Sequence, residues 1–174
     1  MNSYHRIALI LGVVMIFTLV KSDAFLLAYD HEMSRLALRD LQGVYVLVGK
    51  LNPEIEREGL TKHQIQTDVE LRLRMAGIKV LSHEEALKMT GAPFLRISAH
   101  VVERKIVKSY IYNTHVELCQ DVYLVRKPEI KINDATTWSS SYLLGLTPDL
   151  DQIRARVRDQ VDFFINAYLS VNPK

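Results

Sequence analysis

From residue 94 to residue 126 apolar and polar side chains alternate with few interruptions, and no other feature of the 174 residues limits the fold as strongly. Over residues 94–105, Leu95, Ile97, Ala99 and Val101 alternate with Arg96, Ser98 and His100. Over residues 111–126, Val116, Leu118, Val122 and Leu124 alternate with His115, Glu117, Cys119 and Asp121. A period of two puts each set on its own side of an extended chain, so both segments read as strands with one dry and one wet face. Residues 130–142 continue the sheet after a turn at Lys127-Pro128, with Ile130, Ile132 and Trp138 in one phase and Trp138 as a core residue.

A dry sheet face has to be covered. The cover is a C-terminal helix in which Leu150, Ile153, Val157, Val161, Phe164 and Tyr168 recur at three- and four-residue steps. Thr147 reads as its N-cap and Pro148 as its first residue, with Asp149 and Asp151 against the positive end of the helix dipole. Arg154, Arg158 and Asp162 are expected to face water.

Upstream, residues 43–50 (GVYVLVGK) form a β-branched run with Val44, Val46 and Val48 on one face, which predicts the first strand. A loop follows through Glu54, Glu56 and Glu58 to Gly59. Thr61 with Gln64 three residues on is a capping box, and Ile65, Val69, Leu73 and Ala76 give the helix it opens an apolar stripe. Val69, Leu71, Leu73 and Met75 also alternate as in a strand, but Gly77 stops the segment as a helix C-cap does, which favours the helix. Residues 78–81 predict a short strand, and Ser82 with Glu85 a second capping box for a turn or two of helix. Residues 25–42 read as a short helix or an irregular lead-in. The expected fold class is α+β: a mixed or antiparallel sheet of about five strands, in the order β-α-β-(α)-β-β-β-α, with helices packed on one face.

The amino-terminal 24 residues read as a secretory signal. Arg6 precedes fourteen uncharged, mostly apolar residues, 7–20, and Ser22 and Ala24 offer small side chains for cleavage before Phe25. Such a run rises only about 21 Å as a helix, short of a ~30 Å hydrocarbon core. Retention as an N-terminal anchor is the alternative, because Phe25-Leu26-Leu27-Ala28 extends the apolar stretch. The expected organisation is therefore a leader (1–24), a lead-in (25–42) and one α+β domain (43–174), placed in the periplasm or secreted. The single cysteine, Cys119, cannot form an internal disulfide, so the domain must fold by packing alone. The 22 basic and 20 acidic residues are well mixed, which argues against nucleic acid or an anionic membrane surface as partner.

Chemistry-bearing motifs are sparse. A hairpin turning near Val107-Lys108 would set His100 opposite His115, with Glu117 beside them, and two imidazoles and a carboxylate suit zinc or copper. A slip of two residues would instead set His100 opposite Asn113 or Glu117, on an ordinary solvated face. Thr136, Thr137, Ser139, Ser140 and Ser141 form either a hydroxyl-rich binding strip or a plain edge strand. His83-Glu84-Glu85 and His31-Glu32 lack the second histidine of a zinc-protease helix, and no nucleophile elbow or glycine-rich phosphate loop is present. Cys119 sits mid-strand, away from any helix N-terminus that would lower its pKa.

Several stretches, among them Glu58-Gly59-Leu60-Thr61, residues 67–74 (TDVELRLR), Ala76-Gly77-Ile78, Ala135-Thr136-Thr137-Trp138 and residues 164–169 (FINAYL), resemble a group of small exported bacterial proteins of unknown function. The resemblance spans residues 43–172 and implies an exported α+β domain, with no activity or catalytic residue attached. The element order also resembles small α+β modules of envelope assembly and transport machinery, an analogy of fold alone. The leading expectation is a non-catalytic interaction module of the cell envelope, using its wet sheet face or an open strand edge. A small-molecule or metal-binding protein built on His100, His115 and Glu117 comes second, and an unrecognised hydrolase third.

Overall fold

A computed structural model describes residues 32–173; the expected leader, 1–24, and residues 25–31 of the expected lead-in lie outside the described residues. The chain enters through a short helix α1 (Glu32–Arg35) and a 3-10 turn (Leu36–Leu38). Strand β1 (Val44–Val48), helices α2 (Pro53–Arg57) and α3 (Lys62–Met75), strand β2 (Val80–Leu81) and helix α4 (His83–Lys88) follow. Strands β3 (Phe94–Arg104), β4 (Ser109–Leu124), β5 (Lys127–Ser139) and β6 (Leu143–Thr147) lead into the long helix α5 (Leu150–Val171). No helix among the described residues is long and apolar enough to cross a membrane.

The strands make one six-stranded mixed sheet in the order β2-β1-β3-β4-β5, with β6 also on β4. β1 pairs in parallel with β2 and β3, while β4 runs antiparallel to β3, β5 and β6. The inner face carries Val44, Val46, Val48, Leu95, Ile97, Val116, Leu118 and Trp138, all buried, under Ile65, Val69 and Leu73 of α3 and Ile153, Val157, Val161 and Phe164 of α5. The rings of Trp138 and Phe164 meet edge to face at 5.3 Å. Each large side chain of this layer contributes about 1.5–3 kcal/mol through removal from water.

Both capping boxes are present, Thr61 with Gln64 and Ser82 with Glu85. Gly77, at φ +81°, ends α3 in a Schellman turn: Ile78 N–H donates to the Leu73 carbonyl at 2.9 Å and Gly77 N–H to that of Arg74 at 3.0 Å. Asp68 accepts from Arg154 (2.6 and 2.7 Å) and Arg158 (3.2 Å), and Asp162 accepts from Arg72 (2.6 Å), so these residues join α3 to α5 rather than face open water as expected. At the far end of α5, Tyr168 O–H donates to the Leu41 carbonyl and Asn172 binds Leu38 and Asp40, holding the lead-in against the core.

Three local expectations are corrected. The N-cap of α5 is Asp149, whose side chain accepts from Asp151 N–H at 2.9 Å, because Thr147 is still in β6. The β4–β5 turn is at residues 125–126, and Lys127-Pro128 already belongs to β5. The segment beyond Tyr142 is a sixth strand. Since Glu117 pairs with Ser139 and Thr114 with Leu143, β5 and β6 are one edge strand broken by a bulge that sets residues 140–142 against residues 115–116.

Candidate functional site

The face of the sheet opposite α3 and α5 holds the side chains that the sequence marks as polar, and they divide into two regions along β4. In the central region Arg96 on β3 lies directly opposite Glu117 on β4. Arg96 Nε donates to Glu117 Oε2 at 2.9 Å, and Thr136 Oγ1 on β5 donates to Oε1 at 3.0 Å. Burial pushes the Glu117 carboxyl up, but these two hydrogen bonds and the positive charge of Arg96 outweigh it and hold the group below its ordinary value. It is a carboxylate at neutral pH.

His115, two residues away on the same face, is only 4% exposed. Its Nε2 lies 2.9 Å from the Ser140 carbonyl, an acceptor, so that nitrogen carries the proton. Tyr142 stacks on the ring at 3.8 Å and 17°. Nδ1 stands 3.6 Å from Glu117 Oε2, too far for a hydrogen bond. Burial draws the imidazole below its ordinary 6.5 against the opposing pull of Glu117, leaving it neutral. Cys119 is wholly buried, and that burial raises its thiol.

His115 therefore acts on the bulge. Its ring grips Ser140 from the outer face, while Ser140 Oγ accepts from Val116 N–H at 3.0 Å. From the inner face Gln160 of α5, also buried, points Nε2 at the carbonyls of Thr114 (3.1 Å) and Ser141 (2.8 Å) and at Ser140 Oγ (3.3 Å). Backbone groups that a regular ladder would satisfy are here satisfied by two side chains, one from each face. A neutral imidazole committed to a carbonyl, a carboxylate held by Arg96 and Thr136, and an enclosed protonated thiol make a structural clasp.

The expected pairing of His100 with His115 is corrected. The hairpin closes through Lys105–Val107, with Lys108 left-handed at φ +45°, so Arg104 pairs with Ser109, His100 with Asn113, and Ser98 with His115. The register is displaced by two residues because the turn centres one residue earlier than the sequence suggested. Of the three proposed zinc or copper ligands, His115 and Glu117 come together, whereas His100 is exposed beside Asn113. Among the described residues no three His, Cys, Asp or Glu side chains gather as metal ligands do. Three hydroxyls of the proposed strip bond within the sheet, Thr136 to Glu117, Thr137 with Gln120, and Ser140 with the Val116 amide at the bulge.

Beyond the bulge the same face turns apolar. Val102 pairs with Ile111, Ile111 with Leu146, and Asn113 with Leu144. Leu144 is 71% exposed, Leu146 64% and Val102 62%, a contiguous strip across three strands. β6 (LLGLT) has neither charge nor proline, unlike the β5 edge with Lys127, Pro128, Glu129 and Lys131. Its Gly145 is required, since a Cβ there would overlap the ring of Tyr112. Sequence reasoning missed this strip; the signal was the apolar run 143–146, obscured by its glycine and by Pro148 close behind. A separate cleft of roughly 640 Å³ lies at the other end of the face, floored by Tyr45, Leu47 and Phe94 between α4 and the β5 arm.

No protein-family model matches this chain, and no curated protein sequence matches it. Among solved structures it is similar to a dodecamer of a single-residue variant of PelC from Paraburkholderia phytofirmans, at 17% identity and a TM-score of 0.39 over 75% of this chain and 92% of that one, a likeness too slight to support an inference.

Proposed function

We propose that this protein is a non-catalytic interaction module of the cell envelope, exported by its apolar leader, whose outer sheet face beyond the bulge receives an apolar strand or surface of a partner protein. The observation that carries this reading is the strip Val102, Ile111, Leu144 and Leu146, exposed beside an edge strand free of charge and proline. Contiguous exposed apolar side chains rimmed by polar ones are a recurrent mark of protein contact surfaces, and an unblunted edge offers backbone hydrogen bonds to an added strand. The polar cluster supports the same reading by contrast, because the Glu117 carboxylate is held by Arg96 and Thr136 and the His115 Nε2 by the Ser140 carbonyl.

Site-specific photo-crosslinking in cells tests it. A photoreactive residue at Leu146 or Val102 is expected to yield a discrete adduct, and the same residue at Glu84 on α4 none. Absence of adducts at Leu146, or equal labelling at Glu84, contradicts the contact surface. Export is tested separately by fractionation and amino-terminal sequencing: a periplasmic or secreted chain beginning at Phe25 is expected, and a cytosolic chain retaining Met1 overturns the setting.

A further inference from the structure

We infer that the partner of this surface is a second copy of the chain, joined by antiparallel pairing of the two β6 strands about a two-fold axis through Gly145; this deepens the interaction reading above and rests on it. Among the described residues β6 pairs only with β4, so its other edge is open. An antiparallel two-fold centred on Gly145 sets Leu144 of each copy opposite Leu146 of the other. An isologous contact sets the same patch of both copies together, i against j and j against i, and in this register it matches leucine with leucine on either side of the small Gly145. Both leucines lie on the outer face, so four of them would meet over the axis, backed by Ile111 and Val102.

The inner layer is compatible with the same axis. On α5, Arg154, Arg158 and Asp162 face α3, while Gln160 reaches over the β5–β6 edge. At 100° per residue, Phe163 falls on the flank beyond Gln160, away from α3 and overhanging that edge. It is 51% exposed, a large apolar side chain placed where a neighbouring copy would cover it. Arg156 and Asp159 occupy the same flank as an ion pair at 3.2 Å, opposite charges that a two-fold can exchange between copies. At roughly 60–120 Å² of apolar surface per fully exposed large side chain, these five apolar residues supply on the order of 300 Å² per copy. Backbone pairing and the rim add to that, placing the contact at the lower end of the range, below the ~800 Å² per partner of a standard interface. A reversible dimer with a Kd of micromolar order is the expected result.

The test is sedimentation equilibrium of the full-length gene product, purified in the form the cell yields, from about 1 to 300 µM. A monomer–dimer equilibrium is expected, and Leu144→Lys/Leu146→Lys should remain monomeric throughout with an unchanged circular dichroism spectrum. Register is read with two cysteine variants: Leu144→Cys mixed with Leu146→Cys should form a disulfide-linked dimer at least tenfold faster than either variant alone. This second readout holds even if the double lysine variant fails to fold. A monomer at every concentration, a dimer that survives both lysines, or preferential linkage of like with like overturns the proposal. In the photo-crosslinking experiment, an adduct of one copy with a different protein overturns self-pairing and leaves the contact surface standing, whereas no adduct removes both.

Discussion

The two halves of the outer face of β4 invert the usual rule. Around His115, Glu117 and Cys119 the side chains are polar and enclosed; around Ile111, with Leu144 and Leu146 alongside, they are apolar and open. The first half lies over the bulge that joins β5 to β6, where broken ladder geometry leaves backbone groups to be satisfied, and polar side chains are buried there because they satisfy them. The second half lies over a regular ladder with nothing to repair, so its leucines have no structural reason to be apolar. Enclosed polarity marks the part that holds the fold, and exposed apolarity marks the part proposed above as a contact surface.

The sharpest break of this contrast is Gln160→Ala, which strips the donor from the buried Thr114 carbonyl and Ser140 Oγ and from the half-buried Ser141 carbonyl, and should cost about 3 kcal/mol of unfolding free energy, measured in urea. Glu117→Ala should cost less, about 1.5 kcal/mol, since Arg96, with 35% of its side chain exposed, recovers some hydration.

A smaller effect should appear with pH. His115 is held neutral by burial, so below its ordinary 6.5 the unfolded chain binds a proton that the folded chain resists, and stability falls as the pH drops from 6.5 toward the lower native value. Glu117, held below its ordinary 4.5, adds a further loss as the pH drops through 4.5. Urea titrations between pH 7 and 4 of His115→Gln should show the first loss diminished and the second kept; an unaltered profile would separate His115 from the acid response. Smallest of all, Leu144→Lys should change stability by less than about 0.5 kcal/mol, as an exposed position does, while abolishing association. A large loss of stability there would mean that the strip belongs to the core.

Much of the architecture was legible from short-range rules. Thr61 with Gln64, Ser82 with Glu85, and Gly77 fixed where helices begin and end because caps act within four residues. The period-two run identified the dry face of β3 and, through Val116 and Leu118, of the first part of β4, whereas Val122 and Leu124 lie past irregular pairing with β5 and outside the core. What escaped depends on longer distances. Hairpin register turns on how residues 105–108 close, and one residue of difference there moved His100 from His115 to Asn113. The alternation marked His115 and Cys119 as wet, yet both are buried, since which polar residues become enclosed depends on the bulge opposite and on Tyr142 and Gln160 arriving from afar. Likewise helix phase alone sends Arg154 and Arg158 to water, and only the packing of α3 brings Asp68 across from them. Of the candidate site, the pairing of His115 with Glu117 could be foreseen, and its role in clasping a bulge could not.

Amide hydrogen exchange on a dilute sample measures the contrast most directly. The amides of Val116 and Ser140, bonded across the bulge at 3.0 and 2.8 Å, should exchange only as the domain unfolds, while the amides of β6 that do not face β4 exchange orders of magnitude faster. Equal protection at the two ends, or fast exchange at Ser140, would contradict the division of this face into a closed clasp and an open contact surface.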